Sequence, residues 1–134
     1  MKRTLFILLV NMFILSACAG AGGPSTTINA TMTDFSYSPD KFTIPAGQDI
    51  TINIANEGAV EHDFIIFKFG TDAGEQFGPE DQKNIYWEVQ VPPGESKSAT
   101  FTAPVEPGAY FVTCGVEGHM FSGMVAKLIV VAGK

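Results

Sequence analysis

The chain has 134 residues, of which 46% are hydrophobic and only 16% charged; that is enough for one domain with a core and too few for two of ordinary size. Its net charge of −6 is spread thinly, and the sole arginine, Arg3, stands at the extreme N-terminus. Without a basic stripe to displace counterions from phosphates, nucleic-acid binding is unsupported.

The first element is an export segment. Lys2 and Arg3 precede an apolar run from Leu5 to Leu15, broken only by Asn11, which ends in the small-residue stretch "LSAC" at 15–18. The run is too short to span a bilayer as a stable helix, and the order charge, apolar run, small residues is that of a secretory signal. "LSAC" resembles the lipobox of bacterial lipoproteins. The resemblance implies removal of residues 1–17 and lipidation of Cys18, which anchors the chain to the outer face of the cell membrane or in the periplasm. Loss of Lys2 and Arg3 takes the net charge from −6 to −8, which suits a partner with a positive face rather than anionic lipid. Residues 18–26 have the composition of a flexible tether ahead of a domain at 27–134.

From there the chain reads as all-β. Runs rich in Ile, Val, Thr and aromatic residues predict strands at Thr27–Asp34, Lys41–Ile44, Asp49–Ala55, His62–Phe67, Ile85–Val91, Lys97–Thr102, Tyr110–Thr113 and Met124–Val131. "IPAGQ" (44–48), "VPPGES" (91–96) and "VEPGAY" (105–110) are Pro/Gly turns between them. About eight short strands with regular turns predict a Greek-key β-sandwich. The acidic segment 68–84 carries no strand pattern, and a connection of that length is functional, locally helical or mobile.

The chemistry lies in "CGVEGHMFSGM", residues 114–124. Cys114 ends one predicted strand and Met124 opens the last, so Cys114, His119 and Met124 sit on one loop between neighbouring strands. Gly115, Gly118 and Gly123 let that loop curl. His62, at the start of "HDFIIF", belongs to the same end of a sandwich. With Cys18 at the anchor, Cys114 has no disulfide partner, and a lone thiol in an oxidising compartment is a liability unless it is buried or bound. A thiolate, two imidazoles and a weak thioether form the donor set of a copper electron-transfer site.

On the upstream His in "EHDF" and the Cys-x4-His-x4-Met spacing of "CGVEGHMFSGM", the sequence resembles the cupredoxins, the family of plastocyanin, azurin and auracyanin, across residues 27–132. The combination of spacings is most similar to auracyanins and related membrane-attached blue copper proteins of bacteria. The resemblance implies one type 1 copper ion, with His62, Cys114 and His119 as equatorial ligands and Met124 as the axial ligand. Met120 competes for the axial role but follows His119 directly and should point away. Where the family often has Asn after the first histidine, this chain has Asp63. As a carboxylate beside the metal it is expected to accept hydrogen bonds from Gly115 or Thr113 and to lower the reduction potential. The resemblance also implies that the loop histidine reaches the surface in an apolar docking patch, drawn here from Ala59, Val60, Val116, Met120 and Phe121. Segment 68–84 would steer a basic partner.

These features give a non-enzymatic, monomeric electron carrier exchanging electrons with a cytochrome or a membrane oxidoreductase. Copper delivery or storage is the alternative, and it favours exposed ligands over a buried thiolate.

Overall fold

The computed structural model describes residues 23–133. The export segment, Cys18 and the start of the tether lie outside the described residues. The described chain forms nine strands: β1 (Thr27–Thr33), β2 (Ser36–Ser38), β3 (Lys41–Pro45), β4 (Asp49–Asn56), β5 (His62–Phe67), β6 (Ile85–Val91), β7 (Ser96–Thr102), β8 (Gly108–Thr113) and β9 (Val125–Val131). They make a sandwich of a four-stranded sheet, β2-β1-β4-β7, and a five-stranded sheet, β3-β9-β8-β5-β6. The chain crosses repeatedly between the sheets, and β1 with β4 and β3 with β9 pair in parallel.

All eight predicted strands are present. The ninth, β2, is three residues long, too short to give an alternation that a sequence reading can detect. Met124 lies just outside β9, which begins at Val125. Within segment 68–84 a 3-10 helix covers Pro79–Asn84, the locally helical outcome. Pro79 presets its first turn, and Asp81, itself buried, accepts the Gly78 amide through Oδ2 at 2.8 Å.

Strand periodicity divides the core. In β4 the inward positions are Ile50, Ile52, Ile54 and Asn56, each 1% exposed or less. In β5 both faces are buried. Phe64 and Ile66 face the space between the sheets, while Ile65 and Phe67 face outward, into a second cluster with Ala73 and Met120, against which Phe77 packs. Segment 68–84 thus lies over the outer face of β5. A long connection is ordered here because it covers apolar surface that β5 would otherwise expose.

Asn56 is the polar end of the β4 series. Its amide nitrogen donates to the Val60 and Val91 carbonyls at 2.8 and 2.9 Å, and its Oδ1 accepts the Gly58 amide at 2.8 Å. It therefore shapes the 57–61 connection that delivers His62. Asn56→Ala orphans these buried groups and is expected to lower stability by about 1–3 kcal/mol, read as a lower midpoint in urea unfolding; an unchanged midpoint would show that the connection is held by other contacts.

Candidate metal centre

Three of the predicted ligands follow from strand alternation, His62 at the first residue of β5 and Cys114 and Met124 one step outside β8 and β9. His62 shares the inner face of β5 with Phe64 and Ile66. Cys114 continues the inner series Tyr110 and Val112 of β8. Met124 precedes the inner series Ala126, Leu128 and Val130 of β9. β5, β8 and β9 are adjacent, with Ile65 opposite Thr113 and Thr113 opposite Val125. His62, Cys114 and Met124 are each 0% exposed.

The loop adds the fourth. The His119 amide donates to the Val116 carbonyl at 3.1 Å, and the His119 carbonyl accepts from the Met124 amide at 3.1 Å. Gly118 and Gly123 take φ of 81° and 100°, conformations open to glycine and strained for other residues. Gly115 is required for space, because a Cβ there would lie 2.7 Å from the Ile65 side chain.

His119 Nδ1 comes within 3.1 Å of His62 Nδ1 and 3.4 Å of Cys114 Sγ, and His62 Nδ1 lies 4.0 Å from Cys114 Sγ. A metal held by bonds of about 2.0–2.3 Å sets its ligand atoms roughly 3–4 Å apart, so the three donors fit a single ion. Two imidazoles, a thiolate and a thioether are the type 1 copper set. Met124 packs in the inner cluster with Cys114, whereas Met120 packs in the outer cluster with Ile65 and Phe67. The two methionines are thus separated by the sheet itself, and Met124 is the one on the side of the three donors.

Hydrogen bonding and burial act in opposite senses on the Cys114 thiol. The Asp63 amide donates to Cys114 Sγ at 3.3 Å. Burial pushes the Cys114 thiol up to about 11, opposed by the amides of Asp63 and Val116. Burial, and then the neighbouring His62, hold His119 below its usual value. Burial likewise raises the Asp63 carboxyl, opposed by Gln90 and the Gly115 amide. The expected Thr113–Asp63 bond is absent: the Thr113 hydroxyl donates to the Met124 carbonyl at 3.1 Å, tying the two ends of the ligand loop.

The sequence reading missed two residues. Asp34 Oδ1 lies 2.7 Å from His62 Nε2, and Asp34 Oδ2 accepts the Ala59 amide at 3.0 Å. These contacts, the Ala59 amide first and His62 next, hold the Asp34 carboxyl below its usual range. Phe35 sets its ring edge against His119, centroids 4.6 Å apart. Both belong to the β1–β2 turn, which local sequence does not connect to the ligands. Of the expected surface patch, Ala59, Val60 and Phe121 are exposed and Val116 is half-buried, but Met120 is buried beneath the loop and does not contribute. Phe35, 40% exposed, stands over His119 instead.

A family profile described as "Cupredoxin-like domain" matches residues 5–130. Auracyanin-A of Chloroflexus aurantiacus is 32% identical, over 94% of this chain and 94% of that protein. Among solved structures, the dithionite-reduced auracyanin of the photosynthetic bacterium Roseiflexus castenholzii matches with a TM-score of 0.70 and 32% identity, covering 81% of this chain and 99% of that one. The structure of auracyanin A from Chloroflexus aurantiacus, described as a "blue" copper protein, matches with a TM-score of 0.63 and 32% identity over 81% and 100% of the two chains.

A thiol that titrates near 11 is protonated at neutral pH, and a metal must displace that proton to bind. Copper affinity is therefore expected to rise with pH throughout the range below that value. Loading the metal-free protein at pH 8 should release about one proton per ion, measured by titration calorimetry in buffers of different ionisation enthalpy. Loading without proton release would remove Cys114 as a ligand.

Proposed function

The chain belongs to the cupredoxin-like family, and from that premise we propose that it is a blue copper carrier passing single electrons between membrane-associated or periplasmic redox partners. The observation that carries this reading is the closure of the donor set: the ligand atoms of His62, Cys114 and His119 all lie within 4.8 Å of one another, and all three residues are buried. Bound there, copper supplies a one-electron couple whose two states are served by a compromise between soft sulfur and imidazole donors.

The residues of the chain do the rest. Strand-end anchoring of His62, Cys114 and Met124 resists change in donor positions, which keeps reorganisation small. The chain has two histidines and both are committed to this centre, leaving no imidazole for a second one; this supports a carrier rather than an enzyme. Buried ligands also hold copper rather than hand it on, which weighs against a delivery role.

Electrons would pass by way of His119 and Phe35. Ala59, Val60, Val116 and Phe121 surround them with a small apolar rim, suited to a transient redox contact. Segment 68–84 lies beside this end, Gln76, Phe77 and Gln82 sharing a surface hollow with Gly115 and Glu117. Its acidic residues favour a partner with a basic face, such as a cytochrome. Among the described residues no helix is long and apolar enough to cross a membrane, and Cys18 would supply the attachment through lipid.

Two outcomes test this. The copper(II) protein should be intensely coloured and cycle reversibly, and Cys114→Ser should abolish the visible band while leaving the fold intact by circular dichroism; full colour in that variant would overturn the assignment. In cells, Cys18→Ala should move the protein from the membrane fraction to the soluble exported fraction, and unchanged partitioning would rule out the lipid anchor.

A further inference from the structure

We infer that Asp34 is a positioning residue for the copper ligand His62, fixing its tautomer and placing a negative charge on its outer edge that favours the oxidised metal. The inference rests on the copper reading above. His62 is fully buried, with Nδ1 facing His119 and Cys114 and Nε2 2.7 Å from Asp34 Oδ1. A carboxylate can only accept, so Nε2 carries the hydrogen. That leaves the lone pair on Nδ1, the nitrogen that faces the donor set. A ligating histidine whose other nitrogen donates to a carboxylate is more basic and binds the higher charge state better.

The surrounding chain is built around this pair. Asp34 Oδ2 is occupied by the Ala59 amide at 3.0 Å, so the carboxylate is held at both oxygens. Between them passes Gly58, pinned by Asn56 Oδ1 at 2.8 Å. A Cβ at Gly58 would overlap Asp34 Oδ1 and lie 2.7 Å from His62 Nε2. A glycine is needed there because the pair fills the space a side chain would take. The contact joins the β1–β2 turn in one sheet to the first residue of β5 in the other.

Asparagine has one oxygen for the two N–H groups that Asp34 accepts, and no charge. Asp34→Asn is therefore expected to weaken Cu(II) binding relative to Cu(I) by roughly tenfold, read in voltammetry as a rise in potential of about 59 mV. Glu88→Gln, which removes an exposed carboxylate on β6, controls for loss of net charge and should leave the potential in place. In the metal-free protein, long-range nitrogen–proton NMR should find His62 as the Nε2–H form in the wild type, with the Nδ1–H form appearing in Asp34→Asn. Gly58→Ala, which keeps the carboxylate but crowds the pair, should move potential and tautomer in the same directions. A potential in Asp34→Asn equal to that of Glu88→Gln, or an Nδ1–H tautomer in the metal-free wild type, would overturn the inference. The NMR arm needs no copper, so it fails only with the pair, whereas a colourless copper-loaded wild type would fault the copper reading instead.

Discussion

The structure depends on one register. Side chains alternate across β5, β8 and β9, and the positions that face between the sheets include His62, the first residue of β5, and continue one step beyond β8 and β9 into Cys114 and Met124. A shift of one residue in any of the three would turn that ligand to the other face of the sheet. The hydrophobic series that fix the register, such as Phe64 and Ile66 in β5 and Ala126, Leu128 and Val130 in β9, therefore also fix the donor positions. The metal site inherits the rigidity of the core because it is the end of the core.

Ending a core in ionisable groups has a cost. Burial disfavours charge on Cys114 and Asp63 and protonation of His119. The fold offsets it with fixed dipoles and hydrogen bonds: the Asp63 amide on the sulfur, the Thr113 hydroxyl on the Met124 carbonyl, and Asn56 bridging the 57–61 connection to β6. Tyr37 adds a tie between the sheets, its hydroxyl donating to the Asp63 carbonyl at 2.5 Å.

The two faces of β5 separate two tasks. The inner face leads to the donors. The outer face, with Ile65 and Phe67, carries Met120 and the folded-back segment 68–84. Anchoring Met120 on the outside holds the middle of the ligand loop down while leaving Phe121 78% exposed. One loop of eleven residues (114–124) is thus pinned at both ends and at its centre.

Much of this is legible in the amino-acid order, because it rests on local periodicity and on unusual residue types. Period-two runs and Pro/Gly turns define the eight longer strands, and two histidines with one unanchored cysteine and a spaced methionine define the donors. The three-residue β2 was not legible, since so short a strand exists only through its pairing with β1. Met120 was assigned to the surface because a loop residue next to a ligand has no period to reveal that it packs beneath. The sequence by itself determined the donor chemistry and the strands that carry it, since those follow from side-chain type and alternation. Only the tertiary structure decided that Met120 packs beneath the loop and that Asp34 and Phe35 join the site, because these depend on contacts between distant segments that no local spacing encodes.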